Sequence, residues 1–447
     1  MKKIIILTVL LVFQVFITNA QKVETVVEVS EINESVKKEK VVLPSELEDL
    51  TIETLKLSYR HLNSLPDGIW ELKKLKKLDV SLNNLTEISE SIKNLQQLEF
   101  LDLRHNSLKT LPKSIGDLSA IKELNLNLNR GILLPEAFGN LSNLEKLDLG
   151  RIFHNKLPAS FVKLQHLKSL DLSENELSSI STTIKSLHSL EELFLAYNNL
   201  KTLPYWLGEM KSIKKINLWN NQIEELPASL CNSKTLEKLQ IPNNKVKKIA
   251  SSIGKLSTLK VLNLSGNELI TLPKTMGNLI SLEVLDLGNN KLISIPDTLC
   301  KLPNLVDLNL HRNKLTALPE AIDQLKLEGI DLDNNLIKSL PESIGNVNWK
   351  EIDLKNNLLE RLPNSIGNIT VLTAISLSHN KLVELPESFG KLSNLKYLDL
   401  NSNQLTKMPA SVGNLKKLIR LNLENNNFSE QEQLRIKEAL PNCKINF

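Results

Sequence analysis

A pattern of 15 residues recurs through this chain and limits what it can fold into. The segment Leu282–Pro296 reads LEVLDLGNNKLISIP, with apolar residues at positions one, four, six, eleven and fourteen and Asn at position nine. Successive units begin 23 residues apart, except for two 22-residue steps that lead to Leu327 and Trp349. There are 17 units between Ile52 and Phe428. A fixed period of this length indicates stacked repeats, each too small to bury its apolar face alone.

Each unit combines a short strand with a return segment. Leu285 and Leu287 flank Asp286, and this alternation predicts a strand with both leucines facing inward and the aspartate facing outward. One strand per unit predicts a single parallel sheet, with a turn and a short helical or irregular return after Pro296. Asn occupies position nine in 15 of the 17 units. Because an amide carries both donors and an acceptor, we predict a buried Asn ladder that satisfies backbone groups.

The longer pattern, with L-P-x-x-I-G-x-L after the strand as in Leu340–Val347, resembles the leucine-rich repeat family. It is most similar to the 23-residue class of bacterial surface proteins and of Ras-suppressor and scribble-type scaffolds. The resemblance covers almost all of the chain after residue 43. It implies an α/β solenoid, a horseshoe of about 17 coils with a concave parallel β-sheet and short helical or irregular convex returns. It also implies non-catalytic binding of a partner through the concave face.

The ends of the chain differ from the repeats. Residues 1–20 combine two lysines, a short apolar run and a small-residue site, which predicts a cleaved secretory signal peptide; an uncleaved anchor is the alternative. We then expect an N-terminal extension at 21–42 and the solenoid, with a degenerate N-terminal cap, at 43–428. At 429–447 we expect a cap helix, opened by an S-x-x-E capping box at Ser429 and Glu432, and an edge strand. These features predict a secreted, periplasmic or cell-surface protein, with no membrane span after signal removal.

Charge and residue chemistry argue against several function classes. The chain has 55 basic and 51 acidic residues and no basic block, so nucleic acid is not an expected partner. Cys231 and Cys300 lie three units apart, roughly 14 Å at about 4.8 Å per strand, so we predict free, buried thiols. No nucleophile with a matching base, phosphate loop or metal-ligand spacing is evident. We therefore predict no enzyme, no cofactor and no metal site, and we interpret the acidic column at position five as hydrogen-bonded surface.

Departures from the repeat consensus define two candidate binding patches. Aromatic residues make up only 4% of the chain, and exposed aromatics are typical interface anchors. One patch lies on units seven to nine, and the other lies on units one to four, where position eight is bulky instead of small or polar. The patches consist of Phe194, Tyr197, Trp219, Asn217 and Gln240, and of Tyr59, Leu82, Phe100, Arg104, His105 and Leu128. Ordinary packing within the face is the alternative interpretation.

Three hypotheses about function follow. The first is an exported recognition module that binds a protein, or alternatively a glycan. The second is a self-associating scaffold, for which convex residues such as Trp70, Tyr205 and Trp206 would matter more. The third is an intracellular signalling scaffold, which requires residues 1–20 to stay uncleaved. The irregular join at 129–158, where Gly131 and His154 replace leucine, is either a recognition bulge or a degenerate coil.

Overall fold

The computed structural model describes residues 50–153 and 156–447. The predicted signal peptide, the N-terminal extension, the start of the predicted cap and His154 lie outside the described residues. Within them, 18 strands form one parallel sheet, and each strand pairs with its neighbours in chain order. This confirms the predicted solenoid, because 17 strands come from the repeats and the last follows the final helix.

Every strand has three residues, and in the repeats they occupy positions three to five of the unit. Strands β1 to β18 are Thr54–Lys56, Lys77–Asp79, Phe100–Asp102, Glu123–Asn125, Lys146–Asp148, Ser169–Asp171, Glu192–Phe194, Lys215–Asn217, Lys238–Gln240, Val261–Asn263, Val284–Asp286, Asp307–Asn309, Gly329–Asp331, Glu351–Asp353, Ala374–Ser376, Tyr397–Asp399, Arg420–Asn422 and Lys444–Asn446. Below, coils are numbered one to 17 with strands β1 to β17.

Short 3₁₀ helices form the returns. Most follow a proline, such as Pro341 with φ −70°, because proline fixes φ at a value suited to the first position of a helical turn. They span Asp67–Glu71, Glu90–Asn94, Lys113–Asp117, Glu136–Asn140, Ala159–Lys163, Thr182–Ser186, Tyr205–Glu209, Ala228–Asn232, Ser251–Lys255, Lys274–Asn278, Leu299–Lys301, Glu320–Gln324, Glu342–Asn346, Asn364–Asn368, Glu387–Lys391 and Ala410–Asn414. None of the helices in the described ranges has the length and apolar character needed to cross a bilayer.

The core lies between the sheet and the returns. Leu282, Leu285, Leu287 and Leu292 are all 0% exposed, as the repeat pattern predicts. Each such side chain contributes about 1.5–3 kcal/mol through burial. Cys231 and Cys300 are also buried, and both are free, which confirms that prediction.

The Asn ladder performs the predicted task. Asn290 Nδ2 donates to the carbonyls of Leu264, Leu287 and Gly288 at 2.9 to 3.2 Å, and its Oδ1 accepts from Leu269 N at 3.0 Å. Each ladder amide therefore ties its own coil to the coil before it. The removal of one amide would leave several buried backbone groups without partners.

The irregular join keeps its core by a one-residue shift. Gly131 adopts φ +77°, which costs glycine little, and Ile132 is then buried in place of the expected leucine. Gly131 N donates to Ile152 O at 2.7 Å. Phe153, just after Ile152, stacks against the guanidinium of Arg130 at 5.0 Å.

A column of alternating charge follows position two, along the start of the strands. The lysine of one coil binds the glutamate of the preceding coil, as for Lys76 and Glu53 at 2.9 Å and Lys122 and Glu99 at 2.9 Å. Exposed pairs of this kind contribute little each. The column continues without interruption for eleven coils: Glu53, Lys76, Glu99, Lys122, Glu145, Lys168, Glu191, Lys214, Glu237, Lys260 and Glu283.

Helix α1, at Glu430–Ala439, follows the last repeat and precedes β18. Ser429 Oγ accepts from Glu432 N, which is one half of a capping box. The other half is absent from the arrangement that the structure describes, because the Glu432 carboxylate accepts from Met408 N at 2.9 Å and pairs with Arg435 at 2.6 Å. Glu432 therefore fastens the helix to coil 16, in place of the predicted contact with the backbone of Ser429.

Candidate recognition surface

Position eight of every coil has left-handed backbone geometry. The residues at this position have φ between +49° and +64° in all 17 coils. The chain turns away from the strand here while its N–H still donates to position seven of the next coil, as from Leu82 to Arg104 O at 2.9 Å and from Tyr197 to Trp219 O at 2.7 Å. For an L-residue with a side chain, this conformation costs about 1–2 kcal/mol.

The residues at position eight differ between the two halves of the solenoid. Coils eight to 17 mostly carry Asn or Gly there, which tolerate the conformation well, although Arg312, His379 and Ser402 are exceptions. Coils one to seven carry large or charged residues, which we call the N-terminal ridge: Tyr59, Leu82, His105, Leu128, Arg151, Glu174 and Tyr197. Strained backbone with bulky side chains clusters at functional sites, so the ridge is the strongest candidate surface.

Four residues of the predicted patch on units one to four lie together on this ridge. Tyr59, Leu82, His105 and Leu128 follow one another on coils one to four. Tyr59 is 70% exposed and Leu82 38% exposed. Leu128 is half-buried, and the rings of Tyr59 and His61 lie 5.7 Å apart.

The other two residues of that patch lie on the strand face. Phe100 and Arg104 occupy positions three and seven of coil three, beside the ridge and not on it. Arg104 Nε is 3.2 Å from Asp102 Oδ2. Burial raises the pKa of the Asp102 carboxyl, and the backbone N–H and the charge of Arg104 oppose that shift.

The predicted patch on units seven to nine has an aromatic centre and a polar support. The rings of Tyr197 and Trp219 lie 5.3 Å apart with a tilt of 50°, and Lys215 Nζ lies 4.6 Å above the ring of Phe194. Asn217 Oδ1 accepts from Trp219 N at 3.0 Å, so that oxygen holds the strand. Gln240 is only 9% exposed and offers little surface to a partner.

Sequence reasoning missed the link between the two patches. Arg151 and Glu174 occupy position eight on coils five and six, and Arg151 Nε is 2.6 Å from Glu174 Oε2. Burial raises the pKa of the adjacent Tyr197 hydroxyl, Glu174 adds to the shift and Arg151 opposes it. The Asn and Gly residues at position eight in later coils were the available signal for a left-handed column.

Carboxylates lie on the sheet face beside the ridge. The position-five side chain accepts from the backbone N–H two residues later, as in Asp171 with Ser173 N at 2.7 Å. Burial raises the pKa of Asp171 to about 6, with a further contribution from Asp148. These side chains are hydrogen-bonded to the backbone, as expected for the acidic column. Asp102 and Asp286 are buried, however, and are not surface residues.

Two further groups of residues bear on the alternatives. Trp70 and Trp206 are buried, so of the three convex aromatics only Tyr205 is available to a second copy.

On coils 12 and 13, His311, Asp331 and Asp333 place potential metal-ligating atoms within 4.8 Å of one another. No metal site was predicted from the sequence, because these three residues come together only through the stacking of adjacent coils.

Sequence models of known families match most of the repeat region. A sequence model described as a leucine-rich repeat region matches residues 69–156, and a leucine rich repeat model matches 157–200, 234–292, 280–337 and 385–428. A further leucine-rich repeat model matches 371–392. The chain belongs to the leucine-rich repeat family. No curated protein matches this leucine-rich repeat chain.

Solved structures of other leucine-rich repeat proteins are similar to this chain. One is a leucine-rich repeat protein of Leptospira interrogans, with 36% identity over 90% of this chain and 97% of that chain and a TM-score of 0.74. Another is the ectodomain of the plant membrane receptor kinase GASSHO1 of Arabidopsis thaliana, with 32% identity, 82% and 49% coverage and a TM-score of 0.60. Drosophila Toll, in complex with Spatzle, shares the fold at 22% identity, with 86% and 56% coverage and a TM-score of 0.74.

Proposed function

We propose that this leucine-rich repeat protein is an exported, non-catalytic recognition module whose partner is another protein. The partner binds along the N-terminal ridge and the adjoining sheet face of coils one to nine. The single observation that carries the proposal is the presence of bulky side chains at left-handed positions in coils one to seven. That conformation is costly for such residues, and later coils avoid most of the cost with Asn or Gly.

The chemistry of the ridge supports a protein ligand. Tyr59, Leu82 and Tyr197 supply exposed apolar and aromatic surface, and Arg151, Glu174 and Arg104 supply charge beside it. Aromatic residues and arginine are enriched among the residues that dominate binding energy in protein interfaces. The similar ectodomain of GASSHO1 was solved in complex with CASPARIAN STRIP INTEGRITY FACTOR 2, which supports this ligand class.

A capture experiment with matched variants tests the proposal. The mature chain, immobilised, is exposed to surface and medium proteins of the source cell, beside the triple variant Phe194→Ala, Tyr197→Ala and Trp219→Ala. A second variant combines Tyr59→Ala with Leu82→Ala. The control variant removes exposed side chains from later coils: Val306→Ala, Tyr397→Ala and Ile419→Ala.

The expected result is one protein retained by the wild type and the control but lost by the triple variant and by the double variant, at equal thermal stability. Loss by the control alone would place the site on the later coils and overturn the ridge assignment. Export is tested separately, because cleavage after Ala20 would give a mature N-terminus at Gln21. A chain that retains residues 1–20 inside the cell would support the intracellular scaffold.

Self-association is the second candidate, and Tyr205 favours it. This side chain is 65% exposed on the return side and lies 5.7 Å below Lys185 Nζ. Sedimentation velocity of the wild type and of Tyr205→Ala separates the two functions. A dimer that dissociates in this variant, with no protein captured by the ridge, would favour the scaffold.

A further inference from the structure

A histidine and two aspartates meet on the sheet face far from the N-terminal ridge. Coil 12 is one residue shorter than most, so His311 and Asp333, 22 residues apart, both occupy position seven on adjacent coils. Arg312 N donates to Asp333 O at 2.8 Å, and Asn309 pairs with Asp331 across the two strands. The backbone of the sheet therefore fixes the three side chains next to one another.

The distances suit ligands of one ion. The potential ligand atoms of His311, Asp331 and Asp333 all lie within 4.8 Å of one another, and all three residues are half-buried. Because Zn–N and Zn–O bonds are about 2.0–2.2 Å, two donors on one ion lie at most about 4.3 Å apart, so only a small side-chain adjustment is needed.

The imidazole of His311 is held in place before any ion binds. A Cβ atom on Gly288 would lie 2.6 Å from His311 Cε1, so the ring rests against the glycine of coil 11, where any larger residue would displace it. Asn309 Oδ1 is 2.6 Å from His311 Nδ1 and fixes the orientation of the ring. A ligand held by an outer hydrogen bond is the usual arrangement in metal sites.

The charge of the preceding coil also favours a cation at this face of the sheet. Asp286, at position five of coil 11, is 4% exposed, and its Oδ2 atom is buried without a hydrogen-bond partner. Buried carboxylates are normally paired or near a metal. Among the described residues, no lysine or arginine forms an ion pair with Asp286, Asp331 or Asp333, whereas Asp102 on coil three is paired with Arg104.

We propose that coils 12 and 13 bind a divalent transition-metal ion of the zinc class through His311, Asp331 and Asp333. The mixed imidazole and carboxylate set favours such an ion over Ca²⁺ and Mg²⁺, which prefer oxygen ligands alone. Because the Nδ1–H group of His311 donates to Asn309 Oδ1, the ion takes the lone pair of the other ring nitrogen, Nε2, and the imidazole stays neutral. Water or a ligand group fills the remaining coordination positions, which the half-buried site leaves accessible.

Isothermal titration calorimetry of the purified full chain, freed of metal with EDTA, tests this site with ZnCl₂ as the probe. We expect one zinc ion to bind per chain. His311→Asn and Asp333→Asn should each lower the affinity at least about 10-fold, since even outer-shell losses cost about 10- to 100-fold. The control His379→Asn, at position eight of coil 15, should retain the wild-type affinity.

Circular dichroism in EDTA must show the same fold and melting temperature for all variants, so that lost binding is not lost structure. Co²⁺ titration gives a second readout, a visible absorption band that His311→Asn abolishes. Three outcomes would overturn the proposal. They are no zinc binding by the wild type, zinc binding that survives both ligand substitutions, or Ca²⁺ binding as tight as Zn²⁺ binding.

Discussion

Replacement of Leu82 by glycine should leave the protein more stable than replacement by alanine, which reverses the usual order. Leu82 has φ +57°, and both substitutions remove the same atoms beyond Cβ. The left-handed conformation costs a residue with a Cβ atom about 1–2 kcal/mol. Glycine avoids that cost but loses about 0.5–1 kcal/mol through the greater freedom of the unfolded chain. The free energy of unfolding should therefore be about 0.5–1 kcal/mol higher for Leu82→Gly than for Leu82→Ala.

The control lies two residues away in the same coil. Asn84 is exposed and lies outside the left-handed region, and its N–H donates to Leu62 O at 2.8 Å in both variants. Here Asn84→Ala should be more stable than Asn84→Gly by about 0.5–1 kcal/mol. The stability difference between the glycine and alanine variants should therefore have opposite signs at positions 82 and 84, although both positions lie in the same coil.

Urea unfolding followed by far-UV circular dichroism, with linear extrapolation to water, measures the four variants. The reasoning would be refuted if alanine were the more stable residue at both positions, because position eight would then carry no strain. The same comparison has a functional side, since Leu82→Gly should bind the proposed partner more weakly than wild type in spite of its relaxed backbone.

Three other predictions follow from burial. The raised pKa of Asp171, about 6 against an ordinary 3.8, means that the folded state binds the proton more tightly, so the free energy of unfolding falls as pH rises from about 4 to about 6. Asp171→Asn keeps an acceptor for Ser173 N. Its free energy of unfolding should exceed that of the wild type by up to about 3 kcal/mol above pH 6 and should equal it at pH 4. Equal urea midpoints at pH 7 would contradict this. Asn290→Ala leaves Leu269 N and Leu264 O without partners and should lower the free energy of unfolding by about 3 kcal/mol, whereas Asn289→Gly should change it by less than about 1 kcal/mol; similar losses at both sites would argue against the ladder. With Ellman's reagent, half-buried Cys443 should react first, and Cys231 and Cys300 should react only after unfolding because both are buried. Burial, together with the charges of Asp297 and Asp323, also raises the pKa of Cys300 to about 12. Rapid labelling of all three thiols in the native protein would contradict this.

The solenoid was predictable from sequence because each constraint is repeated in coil after coil. The leucines of Leu282–Leu292 and the ladder residue Asn290 have one role each, and that role is set by position within the unit. The free cysteines followed from the same arithmetic, since a separation of 69 residues means three coils. Local regularity therefore determined long-range geometry.

The candidate surfaces were less predictable because they depend on contacts between coils. The unusual side chain of Leu82 was evident in the sequence, but its strain arises from the hydrogen bond to Arg104 O in the next coil. Gln240 and Trp206 are covered by neighbouring residues, and periodicity carries no information about that burial. The meeting of His311 with Asp333 required the shorter length of coil 12 to be combined with their equal position in the repeat.

The alternating charges at position two imply that this solenoid has a natural step of two coils. Removal of coil six alone, residues 167–189, would bring Glu145 beside Glu191, and like charges on neighbouring strands are destabilising. Removal of coils six and seven together, residues 167–212, would bring Glu145 beside Lys214 and restore an attractive pair. A longer or shorter version of the protein is therefore best built in coil pairs, so that the number of coils stays odd.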